Sequence, residues 1–168
     1  MTRTVAKRSS GPSRAVRKAT RPTVSAESAV VGVRYIESSA LVAALLEHDA
    51  EALKSLRARA RQITSALTLA ETARAIVRAR VGERLTPDAE RAAVRALRRF
   101  ERRCYVVAVT DDVLARVRRP FPVEPVRTLD AVHLATAESL GEPPQLVTIV
   151  TRDTRVRDNA TALGYSVE

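Results

Sequence analysis

Leu146-Val-Thr-Ile-Val150 is a short apolar, β-branched run; Thr154 to Leu163 follows as a helical span, and Tyr165-Ser-Val167 as a second extended run. Strand, helix and strand in that order form a crossover unit. Its two strands lie parallel in one sheet, because a tight hairpin cannot accommodate the intervening helix. The same alternation runs through the chain upstream. Val30-Val-Gly-Val-Arg-Tyr-Ile36 reads as a buried strand, with a helix from Ser39 to Glu47 and a second, capped by Asp49, through Arg59. Gln62 to Ser65 is a weaker strand signal, followed by a helix over Leu67–Arg80 that Gly82 closes. Thr86 as N-cap and Pro87 at the first helical position open a helix to about Arg102. Tyr105-Val-Val-Ala-Val109 is a clear strand, with a helix from about Asp111 to Arg118 behind it that Asp111 and Asp112 are placed to cap. Pro120, Pro122 and Pro125 enforce an extended loop, and Leu129 to Leu140 is helical up to Gly141. The pattern is that of an α/β domain with a mainly parallel sheet.

The chain of 168 residues has room for one domain with a real core. It is 45% hydrophobic and 29% charged, as soluble globular chains are. No run of about 18 apolar residues is present, so no membrane span is expected, and the N-terminus lacks the apolar stretch of a secretory signal. The single cysteine, Cys104, can form no internal disulfide, which fits a reducing cytoplasm, and with no base beside it reads as structural.

The net charge is +10, from 29 Lys and Arg against 19 Asp and Glu. Residues 1–32 hold seven of the bases and one acid, which leaves 22 against 18, or +4, for the remainder. A basic excess favours polyanionic partners without conferring sequence specificity. Residues 1–30 are rich in Ser, Thr, Pro, Arg and Lys and lack a hydrophobic period, so they are expected to form a disordered basic tail ahead of a domain over 31–168. The charge suits a nucleic-acid-binding arm; a dispensable extension is the plainer reading.

Four acids draw attention by position. In parallel α/β sheets ligands sit beyond the carboxyl ends of the strands. Glu37 follows the strand ending at Ile36, and Asp153 follows the one ending at Val150; either also fits a helix cap. Asp130 lies in Leu129-Asp-Ala-Val-His-Leu-Ala-Thr-Ala137, a helix apolar on nearly every side, where an isolated carboxylate is costly unless paired, capped or bound to a cation. Arg127 is its candidate partner. Glu71, in Leu67-Thr-Leu-Ala-Glu-Thr-Ala-Arg74, has Arg74 available for a surface pair. Together the four suggest a site of hard oxygen ligands suited to Mg²⁺ or Mn²⁺ and to phosphodiester chemistry. Residue types alone leave that reading and a structural acid cluster both open.

The same segments carry a resemblance. Tyr35-Ile-Glu-Ser-Ser-Ala-Leu-Val42, Leu69-Ala-Glu-Thr-Ala-Arg74, Arg127-Thr-Leu-Asp-Ala-Val-His-Leu-Ala-Thr-Ala137, and Val150-Thr-Arg-Asp153 with Ala162-Leu-Gly-Tyr-Ser-Val167 resemble, in order and spacing, the motifs of PIN-domain ribonucleases, in particular the VapC-like toxins of toxin–antitoxin pairs. The likeness covers roughly Val33 to Glu168. It implies a three-layer α/β/α sandwich with a parallel sheet of four or five strands. It implies Mg²⁺- or Mn²⁺-dependent endoribonuclease activity on structured RNA, such as tRNA or rRNA loops. It also implies a homodimer and a cognate antitoxin that blocks the acidic pocket with a basic side chain. Glu37, Glu71, Asp130 and Asp153 would be the catalytic, metal-holding quartet. Ser38 or Ser39 would assist by bonding to the first acid or to a water on the metal, and Asp158 is a candidate fifth acid. Glu37 stands where the family usually has aspartate, which moves the carboxylate outward by about a bond length; activity is expected to survive. His133 has no role in the resemblance and reads as a core histidine bonded to backbone. An RNA-processing nuclease without an antitoxin, and a catalytically silent PIN-fold binding module, remain as alternatives. An aspartyl-phosphate enzyme is disfavoured because no Asp-x-Asp follows the first strand.

Overall fold

The computed structural model describes residues 32–168. The expected basic tail over 1–30, and the first two residues of the strand expected from Val30, lie outside the described residues. Five strands form one sheet: β1 (Val33–Ile36), β2 (Arg61–Ser65), β3 (Tyr105–Val107), β4 (Val147–Val150) and β5 (Ser166–Val167). Their order is β3-β2-β1-β4-β5, and every neighbouring pair is parallel. The helices are α1 (Ser38–Leu46), α2 (Ala50–Arg57), α3 (Ala66–Val81), α4 (Pro87–Glu101), α5 (Asp111–Val117), α6 (Thr128–Glu138) and α7 (Thr154–Ala162), with a 3₁₀ turn at Pro144–Leu146.

Side-chain alternation sorts the strands into two cores. Val33 and Tyr35 of β1, with Val147 and Ile149 of β4, face α5, α6 and α7 through Val113, Leu134 and Val156. Ile36 and Val150 point to the opposite face, where Leu41, Ile76, Leu97 and Phe100 of α1, α3 and α4 cover them. Period-2 strands covered by helices on both sides make the three layers that the sequence reading expects.

Local chemistry sets the ends. Asp49 Oδ1 accepts from Ala52 N at 2.6 Å and starts α2, while Thr86 Oγ1 accepts from Ala89 N at 3.2 Å with Pro87 at the first turn of α4. Gly164, at φ +89°, turns the chain from α7 into β5 through a backbone shape that favours glycine. Two expectations are corrected. Thr110, not Asp111 or Asp112, caps α5, accepting from Val113 N, and both aspartates sit in the first turn, where they complement the helix dipole. β3 stops at Val107 instead of Val109, as befits an edge strand whose one partner among the described residues is β2. Among the described residues no helix is long and apolar enough to cross a membrane.

Candidate functional site

The chain moves outward from β1 to β2 and β3, then returns to place β4 on the other side of β1. The sheet therefore reverses its winding between β1 and β4, and their carboxyl ends border the crevice where such sheets hold ligands. Glu37 leaves β1 there and Asp153 leaves β4. Both are helix caps as well. The Glu37 carboxylate, 4% exposed, accepts from Ser39 N at 3.0 Å and starts α1; Asp153 Oδ1 accepts from Arg155 N at 2.8 Å and Val156 N at 3.2 Å and starts α7. Ser38 Oγ donates to Glu37 Oε1 at 2.6 Å, and the Ser39 hydroxyl and Thr151 Oγ1 (2.9 Å) both donate to Oε2. Arg152 N donates to Ser39 Oγ at 2.7 Å and Asp153 N to Thr151 Oγ1 at 3.0 Å, so the two strand ends are cross-tied through hydroxyls. Oε2 of Glu37 is filled by three donors, and Oε1 keeps room for another partner.

Glu71, one turn into α3, reaches across to α6. Its Oε2 lies 2.8 Å from His133 Nε2, and the same nitrogen is 3.5 Å from Glu37 Oε1. Donor atoms of Glu37, Glu71 and His133 all fall within 4.8 Å of one another. Burial, the largest single influence, pushes the Glu71 carboxyl up, but the His133 and Ser38 hydrogen bonds and nearby positive charge together outweigh it, and the group titrates below the ordinary range. Glu71 thus pairs with His133, and no ion pair to Arg74 forms among the described residues. The reading of His133 as a core histidine bonded to backbone is overturned. It is buried, but both ring nitrogens meet side chains, Nδ1 facing the Tyr35 hydroxyl at 3.0 Å. The three-residue spacing puts Asp130 and His133 on one face of the helix but names no partner for the ring, since Tyr35 and Glu71 reach it from other elements.

Asp130 sits in the first turn of α6, where Arg127 is the N-cap and makes no side-chain cap bond. Its Oδ2 is buried and has no hydrogen-bond partner among the described residues. Burial raises its pKa, and the negative charges of Asp153 and Glu37 raise it further, against a smaller opposing pull from Arg127. The expected Arg127 partner is near enough to be felt electrostatically, but makes no bond to it. A carboxylate withdrawn from water, crowded by two others and left with a bare oxygen is the donor chemistry of a divalent-cation site. Asp158 is exposed on α7 and forms no hydrogen bond or ion pair among the described residues. Cys104 donates weakly to Glu101 O, and burial pushes its thiol up to about 11, which suits a structural residue and not a nucleophile.

Residues 34–162 match the family model of the PIN domain. The chain belongs to the PIN-domain family. Among its relatives is ribonuclease VapC35 of Mycobacterium tuberculosis, 35% identical over 137 residues, spanning 79% of this chain and 93% of the relative. Ribonuclease VapC46 of the same organism is 39% identical over 135 residues, spanning 79% and 94%. These relatives place the chain among the VapC-like members of the family. Solved structures of similar fold include the sarcin–ricin loop-cleaving toxin VapC20 of M. tuberculosis, at a TM-score of 0.55 and 20% identity over 79% of this chain and 95% of that one. VapBC2 of Rickettsia felis, bound to promoter DNA, aligns at a TM-score of 0.56 and 14% identity over 81% and 97%. The five-stranded parallel sheet between two helix layers is therefore the PIN-domain architecture.

Proposed function

We propose that this PIN domain is a divalent-metal-dependent endoribonuclease, the toxin of a toxin–antitoxin pair. The observation that carries the reading is Asp130, whose Oδ2 is buried without a hydrogen-bond partner among the described residues and whose carboxyl feels the charges of Asp153 and Glu37. Glu37, Asp130 and Asp153 would hold Mg²⁺ or Mn²⁺ through hard oxygens, with Glu71 completing the acidic set. When bound, such an ion neutralises phosphodiester charge and acidifies the attacking water. The chain's own residues do the rest. The Ser38, Ser39 and Thr151 hydroxyls fix Glu37, and the backbone of α7 fixes Asp153.

An RNA segment whose backbone is accessible suits this geometry, so loops of structured RNA such as tRNA or rRNA are the proposed targets. Five aromatic residues in the chain, Tyr35 and Phe100 among the buried ones, leave little for base stacking, and arginine contacts to phosphate take that part. An antitoxin would block the pocket by offering a basic side chain to the bare Asp130 oxygen, and the toxin is proposed to act as a homodimer. The test is cleavage of total cellular RNA by the purified protein with Mg²⁺ or Mn²⁺, beside EDTA and Asp130→Asn controls. Discrete products that disappear in both controls support the reading. A folded, metal-supplied protein that cuts nothing refutes it in favour of a silent binding module.

A further inference from the structure

Behind the acids lies a chain of polar contacts through Tyr35 and His133, two buried residues that none of the roles above uses. The Tyr35 hydroxyl meets His133 Nδ1 at 3.0 Å; His133 Nε2 meets Glu71 Oε2 at 2.8 Å and lies 3.5 Å from Glu37 Oε1. Tyr35 is fully buried and His133 is 2% exposed, so neither can touch an RNA. Glu71 differs: its side chain is 26% exposed and is tied to the protein wall through His133.

We propose that Tyr35 and His133 are positioning residues for Glu71, a role that rests on the nuclease reading of this pocket: the tyrosine hydroxyl fixes the imidazole with Nε2–H toward the acids, and that N–H holds the Glu71 carboxylate beside Glu37. Donor and acceptor rules lead there. An ionised carboxylate only accepts, so a ring nitrogen 2.8 Å from Glu71 Oε2 must carry the hydrogen. With its one proton at Nε2, a neutral imidazole presents a bare Nδ1, and the Tyr35 O–H is the donor that meets it. A phenol carries a hydrogen of its own and can donate it there. The reverse tautomer would aim a lone pair at a carboxylate and leave two buried acceptors facing each other. A glutamate side chain loses substantial rotamer freedom when fixed; here the cost is met by α6 before any cation or substrate arrives. Partners that orient a metal-binding side chain in this way are worth about 10–100-fold in metal affinity or activity.

The experiment compares native protein with His133→Leu, His133→Gln and Tyr35→Phe. Three readouts are taken: Mn²⁺ affinity without RNA, kcat and KM on a cleaved RNA, and ring-nitrogen NMR of His133 in metal-free protein. His133→Leu should weaken Mn²⁺ binding and lower kcat, each by about 10–100-fold, with KM within twofold. His133→Gln places an amide N–H where Nε2 stood and should recover most of that loss, which a merely space-filling role would not predict. Native protein should show Nδ1 unprotonated, and Tyr35→Phe should shift the ring toward a tautomer mixture with a loss of a few fold in kcat. His133→Leu that binds Mn²⁺ and cuts like native, or a native ring protonated at Nδ1, overturns the proposal. A native chain that neither binds Mn²⁺ nor cuts RNA overturns the nuclease reading instead, and the ring spectrum, which needs neither, still decides the hydrogen-bond chain.

Discussion

At Asp130 a carboxylate is drawn out of water beside Asp153 and Glu37, with one oxygen left unbonded. Such a group opposes folding until a cation neutralises it, so stability and function pull against each other at this position. Asparagine has the same shape without the charge. In metal-free protein, Asp130→Asn should therefore raise Tm by about 2 °C, the equivalent of roughly half a kcal/mol of relieved repulsion at a partly exposed site. The same change should lower RNA cleavage by about 100-fold or more, since several kcal/mol of cation-dependent stabilisation is lost. Melting curves in EDTA and a cleavage assay read the two effects; a lower Tm together with retained cleavage would place the metal elsewhere. The acids themselves were legible in the sequence because a carboxylate in an apolar helix, or just past a buried strand, has few inexpensive explanations. His133 was not, because a histidine on an apolar face is ordinary until Tyr35 and Glu71, distant in sequence, are brought to its two nitrogens.

Helix starts form the next layer of the design. Asp153 both opens α7, through Oδ1, and borders the crevice, so its two parts can be separated by substitution. Asparagine caps about as well as aspartate, whereas alanine does not. Asp153→Asn should keep the native Tm within about a degree and lose cleavage, while Asp153→Ala should lose cleavage and also about 1 kcal/mol of stability, or roughly 3 °C. Equal Tm values for the two variants would mean that the cap contributes nothing. Caps of this kind explain which elements could be read in advance. Asp49, and Thr86 with Pro87, act within three residues of themselves, and the structure has them where the sequence puts them. At Thr110-Asp-Asp112 three cap formers stand in a row, and only backbone geometry selects the threonine. Strand order is harder still. Nothing local states that β1 sits between β2 and β4, because that depends on which faces pack together over more than a hundred residues. The short β3 likewise follows from its place at the edge.

The domain beyond the basic N-terminal stretch carries only a modest positive excess, and at the β1–β4 crevice Glu37, Asp130 and Asp153 feel one another's negative charge. Folding, acid titration and cation binding are therefore linked through that one pocket. Asp130 has its folded pKa raised, chiefly by burial and then by the charges of Asp153 and Glu37. Its charged form is the one the fold disfavours, so its penalty is absent below the ordinary aspartate value of about 3.9 and sets in as pH rises through the raised pKa. Glu71 has its folded pKa lowered: burial opposes this, and the hydrogen bonds from His133 and Ser38 with nearby positive charge together prevail. Its contribution is complete above the ordinary glutamate value of about 4.3 and is lost as pH falls through the lower folded value. A cation that binds only the native state adds RT ln(1 + [M]/Kd), about 2.7 kcal/mol at one hundred times Kd, or roughly 8 °C for a domain of this size. As pH falls toward the raised Asp130 pKa, the cation must compete with a proton for that carboxylate. The rise in Tm produced by saturating Mn²⁺ should therefore be largest near pH 7 and shrink steadily toward pH 4, whereas in Asp130→Asn it should be small at every pH. Thermal melts across that range, with and without Mn²⁺, measure it directly. A Mn²⁺ increment in the native protein that stays constant from pH 7 to pH 4 would mean that the cation binds away from Asp130, and the nuclease reading of the crevice would lose its principal support.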